Sequence, residues 1–372
     1  MAQELYQYKE RIGPGAFRLI LLQPCSDLSA PLQVQLITTT LHEYDNSILD
    51  HYTALSYVWG DASHKSTAFI DGQKLEITAS LDSALRHIRD LKGELKIWAD
   101  GICINQTDFE ERNIQVQQMG LIYQLARHMI IFLGESTPAS IALLHALTSP
   151  DSSFSLKPGL GLLSNISCLF NARSDKRRRY SSISDDFGDN DAADSTDSDT
   201  SSRFALSEED GAAYFRNSDT PPRFALSEDV QAFTEKIIRQ WPWFTRIWVL
   251  QELVLSLDPW VQIGRQRIRW NVFSDRLLPA NVKEYQGELK QLSAMRDARM
   301  NFRPPLTLRK RVPEIRIPDQ LLEILQARRG PGVSDPRDMI YGHLGVLNII
   351  DPNRSKLMKM IRVDYNQPVT SG

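Results

Sequence analysis

A chain of 372 residues, 42% hydrophobic and 24% charged, has the make-up of an ordinary globular protein with room for two or three structural units. A formal net charge of −3 speaks against the concentrated basic face of a nucleic-acid binder, and three widely spaced cysteines (Cys25, Cys103, Cys168) speak against a disulfide framework and for a reducing, cytoplasmic setting. No HExxH or CxxC pattern points to a structural metal, no amino-terminal leader is visible, and apolar runs such as Met129 to Leu133 fall far short of the roughly 20 residues of a spanning helix.

Residues 1–50 read as a preamble. Within it Phe17 to Leu22 and Leu32 to Ile37 have strand character, the second with clean alternation, and a hairpin at the edge of the main sheet is expected. Residues 51–150 then alternate strand and helix. The strand at 52–59 is apolar on both faces, as a central parallel strand should be. A helix from about Leu81 to Leu91 and a strand ending at Asp100 follow. Thr107-Asp-Phe-Glu110 reads as a capping box opening a helix whose apolar stripe is Val116, Met119, Tyr123 and Ala126. His128 to Gly134 is the next strand. Strands alternating with helices imply crossovers and a parallel sheet.

Residues 151–230 break this rhythm. Ser181 to Val230 carries 13 acidic and 3 basic residues, and such a segment buries too little apolar surface to offset chain entropy, so disorder is expected. It contains a duplication, Ser198-Asp-Thr-Ser-Ser-Arg-Phe-Ala-Leu-Ser-Glu208 recurring as Ser218-Asp-Thr-Pro-Pro-Arg-Phe-Ala-Leu-Ser-Glu228, and a basic run, Lys176-Arg-Arg-Arg179. The duplication reads either as a tandem linker repeat or as a short motif displayed twice for avidity. Residues 231–270 return to order, with one helix over Trp241 to Leu257 that tolerates Pro242 in its first turn, a strand at Pro259 to Ile263 and a turn at Gly264-Arg-Gln. Residues 271–372 read as a mostly helical extension interrupted by Arg303-Pro-Pro-Leu and Gly330-Pro-Gly.

In an open parallel sheet, ligands sit outside the carboxyl ends of the strands. Tyr52-Thr-Ala-Leu-Ser-Tyr-Val-Trp-Gly-Asp61 and Ile97-Trp-Ala-Asp-Gly-Ile-Cys-Ile-Asn-Gln106 each pass from apolar to polar and aromatic residues, so Ser56, Tyr57, Trp59, Asp100, Asn105 and Gln106 are expected on one rim. Ser56 stands in no GxSxG elbow and no GxxxxGK[ST] loop is present, which removes a serine hydrolase and a P-loop nucleotidase.

These two stretches, with Gln115-Val-Gln-Gln-Met119, Phe132-Leu-Gly134 and Arg246-Ile-Trp-Val-Leu-Gln-Glu252, resemble the fungal heterokaryon-incompatibility (HET) domain in the same order. Ser334-Asp-Pro-Arg-Asp-Met-Ile-Tyr-Gly-His-Leu-Gly345 and Val363-Asp-Tyr365 resemble segments that follow that domain. The chain departs from the pattern at Ala99 and Gly101, where bulkier aliphatic residues or Ala are usual, and a looser strand end is expected there. The HET domain is in turn similar to the TIR fold, which implies an α/β, flavodoxin-like parallel sheet with flanking helices. Trp248-Val-Leu-Gln-Glu-Leu253 then takes the place of a TIR helix whose glutamate serves NAD cleavage in catalytic members. The resemblance implies an incompatibility effector that triggers regulated cell death through self-association and protein partners. Its alternatives are an NAD glycohydrolase using Glu252, with NAD as substrate rather than cofactor, and a non-toxic interaction module.

A carboxylate suits that chemistry, because breaking the nicotinamide–ribose bond builds positive charge on the sugar. Thr245, Trp248 and Glu252 would share one helix face, with Trp248 shielding the carboxylate and Arg246 available to a phosphate or a carboxylate. Each residue also has a plainer assignment. Glu252 pairs with an arginine, the tryptophans anchor the core, and Asp100 and Asn105 tie their loop to backbone amides.

Overall fold

The computed structural model describes residues 4–45, 47, 49–148, 235–278, 285, 287–302, 333, 335–346 and 361–366. Their strands are β1 Ala16–Leu22, β2 Leu32–Thr40, β3 Thr53–Tyr57, β4 Lys65–Ile70, β5 Gln73–Thr78, β6 Leu95–Trp98, β7 His128–Phe132, β8 Pro259–Ile263 and β9 Gln266–Arg269. All nine join one sheet in the order β5-β4-β2-β1-β6-β3-β7-β8-β9. At its centre β6, β3, β7 and β8 are mutually parallel, with Thr53 opposite Ile97 on one side and His128 on the other. In chain order these four read 2-1-3-4, the opening of the doubly wound order, and the chain changes direction of travel around β3.

The flanks are not parallel throughout. β1 pairs antiparallel with both β2 and β6, and β8 with β9. The β1–β2 hairpin also lies inside the sheet instead of at its edge. The edge is taken by β4 and β5, a hairpin absent from the sequence-based expectation. Its cause is Asp71-Gly72, whose φ values of 50° and 82° supply the left-handed pair of a two-residue turn. β1 can sit inside because Phe17, Leu19, Ile20 and Leu22 are fully buried.

Among the helices, α1 is Leu41–Tyr44, α2 Ala79–Ile88, α3 Asp100–Cys103, α4 Phe109–Leu125 and α5 Pro138–Thr148. α2 begins where the Thr78 hydroxyl accepts from the Leu81 amide, and buries Leu81, Ala84, Leu85 and Ile88 at helical spacing. It ends earlier than expected, at Arg89, whose guanidinium is drawn to the carbonyls of Asp27 and Pro31. The expected capping box is corrected too. Asp108, not Thr107, caps α4, accepting from the amides of Glu110 and Glu111 at 3.1 Å each, while the Thr107 hydroxyl donates to Asn105.

The expected single helix over 241–257 is broken. Pro242–Thr245 forms one 3-10 turn, Arg246 is extended (φ −78°, ψ 142°), and α6 is only Val249–Leu255. The break lets Trp243 and Phe244 enter an aromatic cluster with Trp270 and Phe273, at centroid distances of 5.9 Å for Trp243–Trp270 and 6.4 Å for Phe244–Phe273. α7 (Trp270–Leu277), α8 (Gly287–Phe302) and α9 (Asp338–Tyr341) follow. Arg299 of α8 donates to the carbonyls of Leu253, Ser256 and Leu257, closing the carboxyl end of α6. Among the described residues no helix is long and apolar enough to cross a membrane. The acidic segment with its duplication, the Lys176–Arg179 run, Cys168, Arg303-Pro-Pro-Leu and Gly330-Pro-Gly lie outside the described residues.

Candidate functional site

Ser56 and Tyr57 are the last residues of β3, and successive strand residues face opposite sides of a sheet. Two polar clusters therefore hang from one strand end. On the first side, the Trp243 indole N–H donates to Ser56 Oγ at 2.7 Å, and the Ser56 hydroxyl donates to Glu252 Oε2. With Glu252 ionised the direction is fixed: an indole only donates and a carboxylate only accepts, so the indole takes an acceptor site on Ser56 Oγ and the hydroxyl proton goes to the carboxylate. All three side chains are buried.

On the second side, Asp100 opens α3 beyond the end of β6. Its Oδ2 accepts from the Trp59 indole at 2.8 Å, and the Tyr57 hydroxyl also stabilises the carboxylate. Gly101 makes this approach possible. A Cβ there would lie 2.6 Å from Tyr57 Oη and 3.0 Å from Leu81 Cδ2, so the expected looser strand end is instead a tight one.

Arg246 spans the two clusters. Its guanidinium donates to the Tyr57 carbonyl, and its charge acts on both Glu252 and Asp100. The break in the 241–257 helix is what aims it there, since an extended residue at 246 points its side chain away from the axis of α6.

The electrostatics follow from burial. Desolvation pushes the Glu252 carboxyl up to about 7, against the opposing pull of the Arg246 charge and the Ser56 hydrogen bond, and Asp100 pushes it further up. Asp100 is raised as well, by burial first, with Arg246, Trp59 and Tyr57 opposing. Two carboxyls with raised affinity for protons around one arginine is the pattern that functional sites share with strained ion-pair networks.

The structure thus places Ser56, Tyr57, Trp59, Asp100, Arg246 and Glu252 together. Three other predicted residues are tied to protein partners of their own. Asn105 caps its own loop, accepting from the amide and hydroxyl of Thr107. The Gln106 amide donates to the Asp100 carbonyl at 2.9 Å and so holds α3. Trp248 does not share a helical face with Thr245, which sits exposed on the preceding turn, and its side chain hydrogen-bonds to Asp338. Trp243 was not anticipated as a site residue. It is 187 positions from Ser56, and no local pattern announces that contact. Glu252 is 2% exposed while Trp59 is 37% exposed, so the arrangement shows solvent its indole side.

Comparison with known proteins matches residues 52–252 to the family described as "Heterokaryon incompatibility protein (HET)". The curated protein "Heterokaryon incompatibility protein 6, OR allele" of Neurospora crassa is 35% identical over 155 residues, covering 38% of this chain and 22% of that relative. The chain therefore matches less than a quarter of that relative's length. No solved structure matches.

Proposed function

The chain belongs to the heterokaryon incompatibility family, and on that premise we propose that it is a cytoplasmic effector of fungal non-self recognition whose assembly with itself or with protein partners triggers regulated cell death. One observation carries the reading. The family match opens at position 52 and closes at 252, so it contains Ser56, Asp100, Trp243, Arg246 and Glu252, all members of the polar arrangement at the end of β3. The curated relative's name supports the same biological setting.

A second reading is favoured by a specific feature of that arrangement. A desolvated carboxylate beside a guanidinium suits cleavage of the nicotinamide–ribose bond of NAD or a related nucleotide, with Glu252 facing the developing cation and Arg246 a phosphate. The similarity of Trp248-Val-Leu-Gln-Glu-Leu253 to the TIR helix supports it. In the resting protein Glu252 is covered and bonded to Ser56, so this reading needs assembly to uncover it.

Induced expression in a filamentous fungus, with viability and cellular NAD followed together, tests both readings. Loss of viability is expected within hours of induction. NAD falling before membrane integrity is lost favours cleavage, and death at constant NAD favours assembly alone. Undiminished growth at full expression would overturn the effector reading.

A further inference from the structure

The family match ends at position 252, yet α6, which carries Glu252, is gripped by residues nearly a hundred positions downstream. Gln251 Oε1 accepts the Gly345 amide at 2.6 Å, and the backbone there is pressed close. A Cβ on Gly345 would lie 2.7 Å from Gln251 Oε1, and one on Gly120 would lie 2.9 Å from the Gly345 Cα. One turn earlier, Trp248 bonds to Asp338, whose Oδ1 also accepts the Tyr365 hydroxyl at 2.6 Å. Asp338 thus joins α6 to the downstream residues with one carboxylate.

Tyr365 is itself fixed from several sides. Its ring lies 4.0 Å from the Arg112 guanidinium and 5.1 Å from that of Arg337, and its amide donates to Asn113 Oδ1 at 3.0 Å. Arg337 pairs with Asp335 at 2.6 Å and donates to the Asp364 carbonyl at 3.1 Å. The Tyr341 hydroxyl donates to the Arg362 carbonyl at 3.3 Å and accepts from the Asp364 amide at 3.2 Å. These bonds lock 335–346 to 361–366 and both to α4.

We infer that residues 335–346 and 361–366 form a clasp that positions α6, with Asp338 and Tyr365 as positioning residues that keep the Glu252 carboxylate against Ser56 from outside the family-matched span. The inference rests on reading Glu252 as the centre of the site, and it places control of that site in the downstream residues. Tyr365→Phe removes one hydroxyl and leaves the ring between its two arginines. Asp338→Ala removes both bonds to the bridging carboxylate.

Native-state hydrogen exchange on the full chain tests the clasp without reference to toxicity. In Tyr365→Phe the amides from Glu252 to Ser256 are expected to exchange about tenfold faster, the loss of one hydrogen bond to a charged group, and in Asp338→Ala, which loses both bonds, faster still, while those of β3 and β6 keep their protection. As α6 loosens and water reaches Glu252, its carboxyl, read by infrared titration with Glu252→Gln as the assignment control, should titrate at lower pH than in the unaltered chain. Unchanged α6 protection, an equal rise across β3 and β6, or an unmoved Glu252 titration would each overturn the inference. An unaltered chain that fails to kill would count against the proposed function and leave this result standing.

Discussion

Replacing Glu111 by alanine is expected to destabilise the protein by about 3–5 kcal/mol, because it leaves an uncompensated charge in the interior. Glu111 is fully buried and Arg18 is 4% exposed. The two meet as a fork, Arg18 Nη1 to Oε1 at 2.6 Å and Nη2 to Oε2 at 3.0 Å. The same carboxylate accepts the Asn105 amide at 2.7 Å and the Ile12 amide at 3.2 Å. One side chain on α4 thereby holds β1, the preamble and the loop beyond Asp100. Removing it strands Arg18, which keeps the Glu10 and Cys103 carbonyls but no counter-charge in this fork. Urea denaturation would show a lower midpoint with an unchanged slope. A loss under 1 kcal/mol would mean that Arg18 finds water or a new partner.

The second large effect has the opposite sign. The folded-state Glu252 carboxyl titrates at about 7, above the ordinary range near 4.5. A raised carboxyl pKa means that the native state binds the proton more tightly than the unfolded chain. Its stabilising contribution is therefore complete below about pH 4.5 and is lost as pH rises toward 7, after which the deficit is constant. Glu252→Gln keeps the shape and an acceptor for Ser56 but never ionises. At pH 8 the variant should be more stable than the unaltered chain by roughly 3 kcal/mol, and the two should converge only below about pH 4.5. Thermal melts of both proteins across pH 4–8 read this directly. Equal pH profiles would show that Arg246 fully neutralises the buried carboxylate. A stabilising substitution at a buried charge is the trade-off expected where a residue is kept for function rather than for folding.

How much of this was legible beforehand differs by element. The parallel centre was readable, because β3 and β7 are apolar on both faces and helices separate the strands. The antiparallel flanks were not, since β1 is as apolar as a parallel strand and only its pairing with β6 reveals its direction. The Asp71-Gly72 turn is the local sequence signal for β4 and β5. In the 241–257 stretch, helical propensity pointed to one continuous helix. Tertiary packing overrode it by drawing Trp243 and Phe244 toward Trp270 and Phe273 and turning the chain at Arg246. Spacing along the chain points to Trp248, yet the indole bonded to Ser56 belongs to Trp243. That contact exists only because α6 and the turn before it pack across the end of β3, a relation invisible to spacing along the chain. Gly101 likewise looked like a weakness and is instead the one residue small enough to admit the Tyr57 hydroxyl.

The assignment of Glu252 as the centre of the site turns on whether its carboxylate is needed for the effect of this protein in cells. The direct measurement is viability after matched induction of the unaltered chain and Glu252→Gln in the same fungal host, with protein level and folding checked in each. With Glu252 as the centre of the site, the unaltered chain should arrest growth and Glu252→Gln, equally abundant and at least as stable, should leave it near normal. Equal killing by both would contradict it and leave Glu252 as a buried structural carboxyl.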